Sequence, residues 1–410
     1  MVVECCIKLD VELQNELDDL DDDCIESLID GSDDEIDDDL AEGDDDEDDQ
    51  MVEEVYTVSS TKNIRKLVYK LDSIMELLIK ATSYSFTSEE LSSGNGVDLF
   101  NTLTSLFKSH ILPTHFTKSI QFLLFRVSQY QPELADSFLV LLIDIAFNPL
   151  EIVEKRLKAM QYLSSYIARA KNLTKHQVVF IVSYLIGWIT KYIDERELEV
   201  HDITHSTSSS AGGMERFKLF YAAFQALLYI FCFRHQDLTR SVEDLRAGDS
   251  QWECTLDKFF QRAIIAKFNP LKYCDETVVF IFAKLATKLN VCYCYSIIEH
   301  NKRERMTQGN LNLPTSYGNF RHKQEFLDLE AYFPFDPMVL PNCKKIIKEN
   351  YIEWREVNPT SEDDDDEDES GSHSDEEDDD DNDEDMEDGE LDSAAEDSED
   401  GLSSDDDDDE

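Results

Sequence analysis

Apolar residues in the middle of the chain recur every three or four positions. Ile64, Leu67, Val68, Leu71, Ile74, Met75 and Leu78 form one such stripe, and Ile152, Val153, Leu157, Met160, Leu163, Tyr166 and Ile167 form another. That period places side chains on one face of an α-helix. The pattern predicts helices over 62–81, 97–110, 114–130, 132–147, 150–170, 174–193, 213–235, 251–268 and 273–299. Pro113, Pro132, Pro149 and Pro270 fall at the boundaries, where a missing N–H and a fixed φ are tolerated. Thr174 is a candidate N-cap, as is Asp249 or Ser250. Val178–Ile189 and Leu219–Phe233 are apolar around most of the helix. Each is shorter than the ~20 residues a bilayer requires, so both read as buried helices and no membrane span is expected.

No run alternates as a strand would. Taken in pairs, the helices repeat every ~35–45 residues, the period of HEAT or armadillo units. The expected fold is all-α, a HEAT-like helical repeat solenoid with two disordered acidic segments. No residue signature repeats, so an ordinary all-helical globule is the alternative.

Charge divides the chain further. The net charge is −54, yet residues 12–54 hold 24 acidic and no basic residues, and residues 361–410 hold 32 acidic and no basic residues. The rest is close to neutral. Four regions follow: a helical stub at 1–11, an acidic insert at 12–54, a helical body at 55–360 and an acidic tail at 361–410. Self-repulsion and the scarcity of apolar residues predict disorder in both acidic segments. Without excess positive charge, the body is expected to bind DNA at most weakly.

Candidate chemistry is sparse. His201 and His205 have the spacing of a helical metal pair, but Asp202 stands where a zincin places Glu, and a polar loop is the expectation. Cys292 and Cys294 form the only close cysteine pair in the body and read as small core residues on a helix. Nine cysteines, an odd number, suit a reducing compartment, and the first ten residues do not resemble a secretory signal. Gly212-Gly213 is not a phosphate loop, and no nucleophile setting is recognisable. No catalytic, metal or cofactor-binding residues are expected. Lys302, Arg303 and Arg305 read as cations completing a helix C-terminus. Ser32, Ser361, Ser374 and Ser404 precede acidic runs and are candidate phosphorylation sites for an acid-directed kinase.

Several strings are more specific. They are Val3-Glu4-Cys5 with Lys8–Val11, Leu112–His115, Ser165–Lys171, Phe231–His235, Asn269–Lys272 and Ile297–Asn301. The strongest is Tyr332-Phe333-Pro334-Phe335-Asp336-Pro337, followed by Lys344, Lys345 and Trp354. In this order they resemble the RNA polymerase I-specific transcription initiation factor (TIF-IA) family. The resemblance implies a non-enzymatic helical-repeat protein that binds RNA polymerase I subunits and bridges them to the promoter-bound core factor at ribosomal DNA. It implies action in the nucleus and nucleolus under control by phosphorylation. Phe333, Phe335, Asp336, Lys344, Lys345 and Trp354 become the candidate partner-binding or capping residues. Val3-Glu4-Cys5 matches a point well inside the family's length, so the family's N-terminal repeats, with their polymerase contact surface, are expected to be missing here. The competing functions are an acidic chaperone that holds basic proteins such as histones through the two acidic tracts, and a HEAT-type transport receptor.

Overall fold

Local chemistry explains most helix boundaries in the structure, a computed structural model that describes residues 2–17, 20, 49–115, 117–205, 216–241, 250–310, 329 and 331–358. The four candidate phosphorylation serines and most of both acidic segments lie outside the described residues. Helix α1 (Val2–Leu17) buries Cys6, Asp10, Leu13 and Leu17. Their spacing of four, three and four continues one stripe beyond residue 11, so the helix runs six residues further than the expected stub. It packs against α2 (Asp49–Ser83), which starts inside the segment assigned to the acidic insert.

Helices α3 (Ser88–Ser93) and α4 (Asn95–Leu106) meet at Gly94, whose φ of 92° lies in the left-handed region open to glycine. A Cβ on Gly96 would sit 2.5 Å from the Ser85 carbonyl oxygen, so only glycine allows that close approach. Beyond α4 the backbone widens over Phe107–Ile111, and the N–H of Leu112 donates to the carbonyl of Phe107.

The helix expected over 114–130 shrinks to α5 (Phe122–Val127). The reason is Asp10, whose carboxylate accepts the N–H groups of Lys118, Ser119 and Ile120 at 3.4, 2.9 and 3.0 Å. These donors are satisfied from another helix and need no preceding turn. Helix α6 (Pro132–Phe147) has the expected bounds, with Pro132 in its first turn. Helix α7 is Val153–Arg169. Before α8 (Lys175–His205), Thr174 Oγ1 accepts the N–H of Gln177 while Gln177 Oε1 accepts the N–H of Thr174, a reciprocal capping box. Because α8 ends twelve residues later than expected, His201 and His205 lie on helical backbone rather than in a loop.

Helix α9 (Lys218–Arg234) is buried on all faces from Phe220 to Arg234, as its apolar sequence requires. By contrast α8 leaves Phe180 and Tyr184 exposed. Helix α10 (Leu256–Ala263) is shorter than the expected 251–268, because Cys254 and Thr255 adopt positive φ just before it. After α11 (Pro270–Tyr273), the single helix expected over 273–299 is two, α12 (Glu276–Lys288) and α13 (Tyr295–Asn310). Asn290, at φ 54°, turns the chain between them. Cys292 and Cys294 are buried in this linker while Tyr293 is exposed, the alternation of extended backbone. They are core residues, but not helical ones. Helix α13 continues past Arg305, so the basic cluster is internal to it. Arg303 pairs with Glu299 and Arg305 with Glu276. Two short helices, α14 (Pro341–Ile347) and α15 (Trp354–Val357), complete the described chain.

Helix α7 lies against α6 and α9, and α9 against α8 and α12. The fold is all-helical. Among the described residues there is no strand, only the isolated bridges Ala170–Tyr351 and Thr239–Trp252. No described helix is long and apolar enough to cross a membrane.

Candidate partner-binding groove and the strap that builds it

Half of residues 331–358 lie outside helices, so their backbone groups need partners from elsewhere. The helical stack supplies them. Gln121 Nε2 donates to the Pro334 carbonyl at 2.7 Å, and Ser165 Oγ accepts the N–H of Phe335 at 2.9 Å. Tyr351 Oη donates to the Phe335 carbonyl at 2.8 Å, and Tyr332 Oη donates to that of Thr117. The N–H of Ile352 reaches the Arg169 carbonyl, and the N–H of Lys171 reaches that of Asn350, both at 2.9 Å. Arg126 Nη1 donates to the Ile346 carbonyl and to Asn350 Oδ1. The segment is therefore a strap bound across α5, α7 and α9.

The strap has two anchors. Phe335 is fully buried, with ring centroids of Phe125, Phe122, Tyr162 and Tyr166 at 4.8–6.0 Å. Arg169 is the other. Its guanidinium donates to Asp336 Oδ1, to Tyr229 Oη and to the Ile352 carbonyl, each at 3.3 Å, and lies 4.2 Å from the Phe233 ring centroid. Tyr229 Oη also donates to Asp336 Oδ1, and its ring stacks on Phe333 at 3.8 Å. Burial raises the phenols of Tyr229 and Tyr351 above the ordinary tyrosine range, so both remain donors at neutral pH.

Helix α14 begins at Pro341 without a side-chain cap of its own. Asp72, buried on α2, accepts the N–H groups of Asn342 and Cys343 at 3.0 Å each and so caps it from a distance. Asp10 performs the same service ahead of α5. Burial raises the Asp10 carboxyl above the usual carboxylate value, against the opposing pull of its three N–H donors.

The strap leaves a groove of about 330 Å³ beside it. Phe122, Met338, Ile347 and Tyr351 form its buried apolar floor. Trp354, held edge-on against Phe233, makes a half-buried wall, and Lys344, Lys348 and Arg355 stand exposed on the rim beside Glu353.

The six candidate residues are thus divided. Phe333, Phe335 and Asp336 face the helical stack. Lys344 and Trp354 line the groove, whereas Lys345 is exposed and outside its lining. Arg169, Asp72, Tyr351 and Lys348 were missed. Asp72 carried a signal, a carboxylate on the Leu71–Met75 apolar stripe. Lys348 carried another, since it follows Lys344 by one turn.

Fold and groove define an all-helical scaffold closed by a C-terminal strap and presenting a cation-rimmed apolar groove. The chain belongs to the family of RNA polymerase I specific transcription initiation factor RRN3, whose model matches residues 1–359. It is 45% identical to RNA polymerase I-specific transcription initiation factor RRN3 of Saccharomyces cerevisiae, over 87% of this chain and 62% of that protein. The corresponding factor of Schizosaccharomyces pombe is 32% identical over 75% of this chain and 47% of its own length. A crystal structure of RNA polymerase I transcription initiation factor Rrn3 matches with a TM-score of 0.67 and 46% identity, covering 87% of this chain and 61% of that one. The chain therefore spans about three fifths or less of these relatives.

Proposed function

We propose that this chain is an RNA polymerase I transcription initiation factor. It acts as a non-enzymatic scaffold that binds polymerase I subunits and bridges them to the promoter-bound core factor at ribosomal DNA, in the nucleus and nucleolus. The observation that carries this reading is the family match, which runs through the whole helical body and the strap. Stacked helices suit such work because they offer an extended surface to protein partners. Affinity capture of the chain from nuclear extract with mass spectrometry is the test. Polymerase I subunits are expected, and histones alone would overturn the reading. The acidic tracts favour the second reading, a chaperone for basic proteins. In that case deletion of residues 361–410 abolishes histone binding, whereas an initiation factor keeps its polymerase partner.

A further inference from the structure

We propose that the strap groove is a docking site for an acidic peptide segment of a partner protein, one that inserts a large apolar side chain between flanking Asp and Glu residues. The floor takes the apolar side chain: Met338, Ile347 and Tyr351 are buried, yet they line an open space of about 330 Å³. The rim takes the acids. Lys344 and Lys348 lie one turn apart, and like charges at that spacing repel. Neither has an ion-pair partner among the described residues, unlike Lys171 nearby, which pairs with Glu356. Within the lining, Glu353 is the single carboxylate beside Lys344 and Lys348, and Arg169 is matched by Asp336. A carboxylate supplied from outside would relieve the repulsion.

Geometry favours a peptide over nucleic acid. Phosphate tracking needs a run of cations along a groove, and the lining of this groove supplies only a short set around an apolar slot. Trp354 adds a rigid aromatic wall whose ordering costs little entropy, as at interface hot spots. This inference concerns the groove alone and does not depend on the polymerase reading.

The test is fluorescence anisotropy of the full chain with a labelled dodecapeptide of Asp and Glu around a central Phe-Leu pair. Saturable binding is expected. The Lys344→Glu/Lys348→Glu double variant should weaken it by roughly tenfold or more, from two lost and reversed contacts. Lys348→Glu should weaken it more than Lys302→Glu, which makes the same charge change on α13. The altered lysines are exposed, so an unchanged melting temperature shows that the variants are folded. Trp354→Ala provides a second, uncharged test and should also weaken binding. Equal affinity in the double variant overturns the proposal. So does equal binding of a peptide with Ser in place of Phe-Leu, or tighter binding of a labelled oligo-dT strand through the same lysines.

Discussion

The strap region and the α10–α13 end of the molecule are held by different physics. Hydrogen bonds from strap to stack join residues 107 to 271 positions apart and are rich in side chain-to-backbone bonds. At the other end most backbone bonds lie within helices, and crossing bonds such as Gln261 to the Val291 carbonyl and Arg305 to that of Lys272 span only 30 and 33 positions. There Phe231, Phe260 and Phe282 interlock at 4.7–5.7 Å between ring centroids, and the ion pairs Lys272–Glu304 and Arg305–Glu276 decorate the rim. An irregular segment stays ordered only where other elements meet its N–H and C=O groups, whereas stacked helices need only a shared apolar face. A substitution of a buried polar residue should therefore cost most at the strap, and polar changes at the far rim should cost little.

The largest effect is expected at Phe335, the apolar half of the strap's anchorage. Phe335→Ala should cost about 3–5 kcal/mol by calorimetry or denaturant unfolding. A loss close to that of removing residues 361–410 would break the assignment of Phe335 as an anchor. Phe333→Ala should cost less, because Phe333 is only partly buried.

The two remote caps come next. Asp72→Ala and Asp10→Ala should each cost about 1–3 kcal/mol, because each leaves buried N–H groups without an acceptor. Asp72→Asn should recover part of that loss by keeping one oxygen. Amide exchange sharpens the comparison. Asp72→Ala should expose the Asn342 and Cys343 amides, and Asp10→Ala those of Ser119 and Ile120, while α12 amides stay protected.

At the far rim, Glu276→Gln removes the partner of Arg305, but the Glu276 side chain is 74% exposed. The expected change is within about 0.5 kcal/mol. A loss as large as that of Asp72→Ala would erase the contrast between the two regions.

The smallest effect is on pH dependence. Burial lowers His235 below its ordinary value of 6.5. As pH falls through that value, the unfolded chain takes up a proton that the folded chain resists, so stability declines on the acid side. His235→Gln should flatten the stability profile between neutrality and pH values just below 6.5. A rise in stability on acidification through this range, lost in the variant, would reverse the sign.

Much of the fold was legible because helices are local. The α6 bounds, the Thr174 cap and the all-apolar α9 follow from residue spacing within a few turns. Errors fell where a distant group intervened. Asp10 removed the need for helix before α5, and the left-handed Asn290 split the last long helix. The candidate groove was legible only in part of its lining. The string marked the segment that forms the strap, and Lys344 and Trp354 line the groove beside it. What the string could not say is which of its aromatic residues turns inward.

By itself, then, the sequence determined helix content, the partition of charge along the chain, and the family. Each rests on composition or on periodicity and strings read along the chain. Only the tertiary structure decided that Asp72 caps a helix it does not belong to, that Asp10 holds the turn before α5, that Arg169 ties strap to stack, and that Lys344 and Lys348 flank an apolar slot. Those contacts join residues up to 271 positions apart. The hydrogen-bonding needs of an irregular strap are met by whatever side chains the folded stack brings within reach, and no local pattern in the chain encodes that proximity.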